Sequence, residues 1–199
     1  MQIGPATRSL VRDRVAKESR LGRLAEFGCG TDFYTQVLAG KADRVVATDL
    51  SPGMLSVAQD RIKAANVTFQ ADDCQKSSFP EAAFDTAFIS LVIHFTEPAR
   101  TLAEMRRILK PAGSLIIANL DPRALNGLDR GALPDSHRVP RGYRISSEAP
   151  KGFGKNVMTE TQLCDLLGQS GFKVVSTETI RDASRSSHIP VEYIRAVRV

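Results

Sequence analysis

The sequence predicts an α/β fold: a doubly wound, mostly parallel sheet of seven strands, with an antiparallel strand at the C-terminus and helices on both faces. Three observations predict it. Short apolar runs at 23–27, 44–48, 67–71, 84–90 and 114–120 alternate with stretches of helical spacing, as βαβ units do. Two further runs, 173–180 and 191–198, are joined by "RDASRSSHIP", which has no crossover helix, so that pair is expected to be antiparallel. The first run ends in "EFGCG", a glycine turn placed where such sheets bind ligands.

In chain order, residues 5–20 read as an amphipathic helix with Leu10, Val11 and Val15 on one side. After the first strand, a helix is expected from about Asp32 to Ala39. Ser51 with Pro52 fits an N-cap followed by proline in the first turn, leading into "GMLSVAQDRIKAA". "TLAEMRRILKPAG" reads as a helix stopped by Pro111 and Gly113. Residues 121–156 are rich in Pro, Gly, Arg and Asp without a period, which suits a substrate lid better than an idle connection. "TETQLCDLLGQSG" opens with Thr159 and Gln162 at capping-box spacing and closes at Gly171.

With 199 residues, 42% of them hydrophobic, the chain is enough for one sizeable core, so residues 1–199 are expected to be a single domain with 1–22 as an N-terminal cap. No run approaches the roughly 18 apolar residues of a membrane span, and the N-terminus lacks the apolar middle of a signal peptide. A soluble, cytoplasmic protein without membrane contact is expected, as monomer or homodimer. Cys29, Cys74 and Cys164 are odd in number and widely spaced, which suggests reduced thiols and neither a disulfide framework nor a zinc site. The net charge of +5 is uneven: residues 24–120 carry nine basic against eleven acidic residues, and the basic excess lies outside them. No aromatic residues interleave with the basic ones as a nucleic-acid stacking platform requires, so nucleic acid is not the expected partner.

The chemistry centres on the first turn. Gly28 and Gly30 let the backbone approach a ligand closely. A dinucleotide site also needs glycine at position 33, and Phe33 stands there, which argues against a nicotinamide cofactor. Asp49 ends the second strand 23 positions after Glu26, placed to hydrogen-bond a ribose diol. Together these point to an adenosine-like ligand without a pyrophosphate.

The segments "EFGCGT", "VVATDLSPGMLSVA", "FQADDCQKSSFPEAAFDTAFIS", "LVIHF" and "EMRRILKPAGSLIIA" resemble the successive motifs of class I S-adenosylmethionine-dependent methyltransferases, a Rossmann-like family, in the same order and spacing. The resemblance is strong over about residues 24–120. It implies S-adenosyl-L-methionine as cofactor and S-adenosyl-L-homocysteine as product. It places Glu26, Gly28, Cys29 and Gly30 around the methionine part, Asp49 on the ribose, Leu50 and Met54 beside the adenine, and Asp73 with the Cys74 backbone at the adenine amine. Ser90, at the end of the fourth strand, joins the same set.

Asp32 replaces a glycine usual in the family, either as a first-turn acid facing solvent or as a contact to the cofactor's ammonium. Asp72 replaces another. Ala112 replaces a third, mildly, since Gly113 remains for the turn. His94, after the fourth strand, is the candidate general base; His137 and His188 read as surface residues. Tyr34 is a candidate to cover the cofactor. The acidic residues are taken up by the nucleoside, so no metal site is expected. The expected acceptor is a small molecule. The alternatives are methylation of RNA or another macromolecule, and a non-catalytic cofactor-binding protein.

Overall fold

A computed structural model describes residues 5–120, 156–181 and 190–199. The expected lid therefore lies outside the described residues, apart from Asn156, and so do His137 and His188. The elements are α1 Pro5–Ala16, β1 Arg23–Phe27, α2 Thr35–Ala39, β2 Arg44–Asp49, α3 Pro52–Arg61, β3 Val67–Ala71, β4 Phe84–Ser90, α4 Pro98–Ile108, β5 Leu109–Leu120, α5 Glu160–Gln169, β6 Phe172–Ile180 and β7 Val191–Arg198. A single 3-10 turn, Ile93–Phe95, follows β4.

The seven strands lie in the order β3-β2-β1-β4-β5-β7-β6. The first five are parallel, and β7 runs antiparallel to both β5 and β6. Chain order reverses between β1 and β4, so the carboxyl ends of these strands and of β2 converge on one crevice. Alternation along each strand feeds two cores. Phe88, Ile116 and Tyr193 pack with Val11, Val15 and Leu38 on the α1 and α2 face. Ile89, Ile117 and Ile194 pack with Leu102, Met105, Leu163 and Leu167 on the α4 and α5 face. Glu26 pairs in register with Phe88 and so points to the α1 face, as does Ser90 two residues beyond Phe88.

Local signals set most of the ends. The Ser51 hydroxyl accepts from the Met54 N–H at 3.3 Å with Pro52 opening α3. At α5 the Thr159 and Gln162 side chains satisfy each other's backbone N–H groups, a complete capping box, and Gly171 ends the turn at φ +80°.

Three expectations need correction. The first helix ends at Ala16, four residues early. The second begins at Thr35, because Asp32 sits at φ +95°, a conformation no right-handed helix contains. The fourth runs from Pro98 to Ile108 and passes directly into β5. There Ala112 itself takes the left-handed conformation, φ +60°, and Gly113 serves a different need: a Cβ on it would come within 2.8 Å of the Lys110 carbonyl.

Candidate functional site

The glycine turn leaves β1 with Gly28 at φ +71° and Gly30 at φ +58°. Added carbon at Gly28 would collide with the Val92 side chain, so the loop after β4 packs directly on the turn. At Gly30 the same space is open. The Gly30 N–H donates to Asp49 Oδ2 at 2.9 Å and the Ser51 N–H to Oδ1 at 2.9 Å, so Asp49 ties the first turn to the second. Leu50, beside it, is 70% exposed, an apolar side chain left on the rim of the crevice, while Met54 is half-buried.

Glu26 lies at the bottom of this turn, 2% exposed. Its carboxylate accepts from Thr35 Oγ1 at 2.8 Å, and its carbonyl accepts from Thr48 Oγ1 at 3.0 Å. Burial pushes its pKa up to about 8; the Thr35 hydrogen bond opposes this, and nearby Asp32 and Asp49 add to it. A buried carboxyl group pressed by two acids is a site that a cation would relieve. Thr35 escapes sequence reasoning because it reads as an ordinary helix-opening threonine.

Asp32 neither caps α2, whose N-cap is Tyr34 without a side-chain bond, nor lies in the helix. It pairs with Arg61 of α3 at 3.3 Å. Asp72 closes the loop after β3, where its carboxylate accepts from the Asp73 N–H at 2.9 Å, from Ser78 Oγ at 2.8 Å and from Gln70 Nε2 at 3.1 Å. Asp73 accepts from the Gln75 N–H at 2.8 Å.

Cys29 and Cys74 are buried, and both thiols are pushed up by burial, Cys74 to about 11, so neither is a thiolate at neutral pH. His94 is 3% exposed in the turn after β4, its ring 4.2 Å from that of Phe95. Burial lowers its pKa to about 4, so the imidazole is neutral at pH 7 and holds a proton weakly. Tyr34 and Ser90 are buried on the α1 face, with Tyr34 edge-on to Phe88 at 5.6 Å. The structure thus gathers Glu26, Gly28, Gly30, Asp49, Leu50 and Ser90 at the switch point. A hollow of about 410 Å³ between the starts of α4 and α5, lined by Glu97, Asn156 and Met158, is formed on the other face of the sheet.

Residues 25–117 match the family model described as "Methyltransferase domain". Residues 25–117 are thus a methyltransferase domain by similarity, in a chain with the fold of S-adenosylmethionine-dependent methyltransferases. Among its relatives, the O-methyltransferase cnsE of Penicillium expansum is 30% identical over 194 residues, covering 91% of this chain and 65% of the relative. The malonyl-[acyl-carrier protein] O-methyltransferase of Serratia marcescens is 34% identical over 107 residues, 53% of this chain and 41% of the relative. The chain thus spans less than two thirds of either relative's length. The solved structure of an S-adenosylmethionine-dependent methyltransferase from Mesorhizobium loti superposes with a TM-score of 0.72 at 22% identity, over 99% of this chain and 100% of that one, and shares the fold.

Proposed function

We propose that the protein transfers a methyl group from S-adenosyl-L-methionine to a small-molecule acceptor by in-line displacement, leaving S-adenosyl-L-homocysteine. The observation that carries this is Glu26, a buried carboxyl group pushed up to about 8 within a turn whose Gly30 is open to a ligand. These residues fit the cofactor. Glu26 would take the ammonium, with Gly28, Cys29 and Gly30 supplying backbone beside it. Asp49 would bind the ribose hydroxyls, its carboxylate held in place by two backbone N–H groups. Leu50 and Met54 would flank the adenine, and Asp73 with the Cys74 backbone would meet its amine.

The cofactor supplies an activated methyl group on a sulfonium with a neutral leaving group. The protein's work is then to hold the acceptor in line, exclude water and stabilise positive charge with acids. His94 is too weak a base to take a proton from an alcohol at neutral pH. The names of the relatives, O-methyltransferases, favour oxygen as the atom methylated. The segment 121–156 is proposed as a lid and the N-terminal segment 1–22 as a cap, within one domain in the cytoplasm.

The test is to incubate the protein with the cofactor and a metabolite panel and to measure S-adenosylhomocysteine. Acceptor-dependent product is expected. Product only with RNA, together with RNA retention in a gel shift at physiological salt, would replace the small-molecule reading with a macromolecular one.

A further inference from the structure

Two charged residues of α4, Glu104 and Arg107, lie outside the glycine turn and its acids, yet they grip the loop that carries Asp73. Glu104 Oε1 accepts from the Ser77 N–H at 2.8 Å and from Ser77 Oγ at 2.5 Å. Arg107 holds the same carboxylate with Nε on Oε2 at 2.9 Å and Nη2 on Oε1 at 2.6 Å, and Nη2 also donates to the Phe79 carbonyl at 2.8 Å. Such a forked pair fixes orientation as well as charge. Burial would push the Glu104 carboxyl up, but the bonds from Arg107 and Ser77 outweigh it and hold the group below its ordinary value, so it is ionised at neutral pH. Glu97, before the first turn of the same helix, donates its backbone N–H to Gln75 Oε1 at 2.9 Å.

The loop held in this way runs from Asp72 to Phe79. The Phe79 ring is buried edge-on to those of Phe27 and Phe84, at 6.1 and 4.8 Å, and Cys74 is buried in the same core, so apolar packing fixes two points of it. Between them the turn is polar. Asp73 Oδ1 accepts from the Gln75 N–H at 2.8 Å and the Asp73 carbonyl from the Lys76 N–H at 3.1 Å, while Asp73 Oδ2 has no hydrogen bond among the described residues. The direction in which that oxygen is offered follows from the shape of the turn, and α4 supports the turn from outside.

We propose that Glu104, locked by Arg107, is a positioning residue: it holds residues 73–77 so that Asp73 presents Oδ2 to the purine amine, and thereby sets the preference for an aminopurine over an oxopurine cofactor. This rests on the reading that Asp73 meets the adenine amine. An amine donates to a carboxylate oxygen, whereas the oxo group of hypoxanthine sets an acceptor against an acceptor. Hydrogen bonds weaken steeply off line, so the discrimination depends on where the turn holds the carboxylate.

Glu104→Gln probes this at nearly constant volume. The partners of the carboxylate are all donors, so the NH2 group of glutamine must face the Ser77 N–H on one side or the Arg107 Nε–H on the other, and one half of the grip is lost.

The test is calorimetric titration with S-adenosylhomocysteine and S-inosylhomocysteine, its oxopurine counterpart, in wild type, Glu104→Gln, Arg107→Lys and Thr159→Ala, the last a control weakened at α5. Wild type is expected to bind the aminopurine about tenfold or more tightly than the oxopurine. In Glu104→Gln that preference is expected to fall to about threefold or less, with S-inosylhomocysteine affinity within about twofold of wild type. Arg107→Lys keeps the charge without the fork and is expected to lose the preference in the same way, which carries the test if Glu104→Gln does not fold. Thr159→Ala is expected to keep it. Equal weakening of both ligands in the α4 variants, an unchanged preference in them, or the same loss in Thr159→Ala overturns the proposal and leaves the cofactor reading standing. A wild type that binds both ligands alike overturns the role of Asp73 and this proposal with it; one that binds neither overturns the cofactor reading as a whole.

Discussion

Glu26 carries a proton that the unfolded chain would release. With its folded pKa at about 8 against an ordinary 4.5, the folded state binds the extra proton between those values. Its contribution to stability is therefore full below 4.5 and is lost as pH rises through 8. Urea midpoints of wild type are expected to fall across that window relative to those of Glu26→Gln, and a parallel pair of curves would contradict the assignment. The same proton should leave when the cofactor's ammonium arrives. Calorimetry near neutral pH in buffers of different ionisation enthalpy is expected to show proton release in wild type and less in Glu26→Gln. Asp32 and Ala112 lie at φ +95° and +60°, where only glycine is at ease. Ala112→Gly is expected to stabilise by about 1 kcal/mol in urea unfolding, and Asp32→Gly by somewhat less because it forfeits the Arg61 pair. Destabilisation by either would show that the strain is illusory.

At the scale of elements, α1 is held by charge as much as by apolar packing. Glu18 is 4% exposed and gathers Arg14, Arg195 and Tyr193, with Arg14 reaching on to Glu178 at 2.7 Å. Removing a buried partner of this kind leaves uncompensated charge, so Glu18→Ala is expected to cost about 3 kcal/mol. Hydrogen exchange should quicken over residues 5–16 while β1 and β4 stay protected; uniform loss across the sheet would mean that α1 is part of the global unit. α5 rests on a capping box, and Thr159→Ala is expected to lower stability by about 1 kcal/mol without touching cofactor affinity.

For the whole molecule, the alternation of apolar runs with helical spacing is enough to read seven strands and their parallel or antiparallel sense. Periodicity reports which residues share a face, and that is a property of the sheet as a whole. The start of α2 is not legible, because Asp opens helices as readily as it tolerates positive φ, and the φ of +95° taken by Asp32 shows only in the folded loop. The end of α4 is obscured because Pro111 and Gly113 are strong stop signals that here lie within β5, three and five residues past the helix. In the candidate site, spacing places Asp49 against the glycine turn, where its carboxylate meets the Gly30 N–H. Spacing does not show Thr35 on Glu26, Asp72 on Ser78, or Glu18 on Tyr193, since each depends on which side chains meet after folding. The functional reading stands or falls with whether the turn of Glu26, Gly30 and Asp49 holds an adenosyl amino acid. Calorimetric titration of the folded protein with S-adenosylhomocysteine decides this. One saturable site is expected, weakened about tenfold or more in Asp49→Asn; an absence of heat in protein whose circular dichroism shows it folded would contradict that assignment.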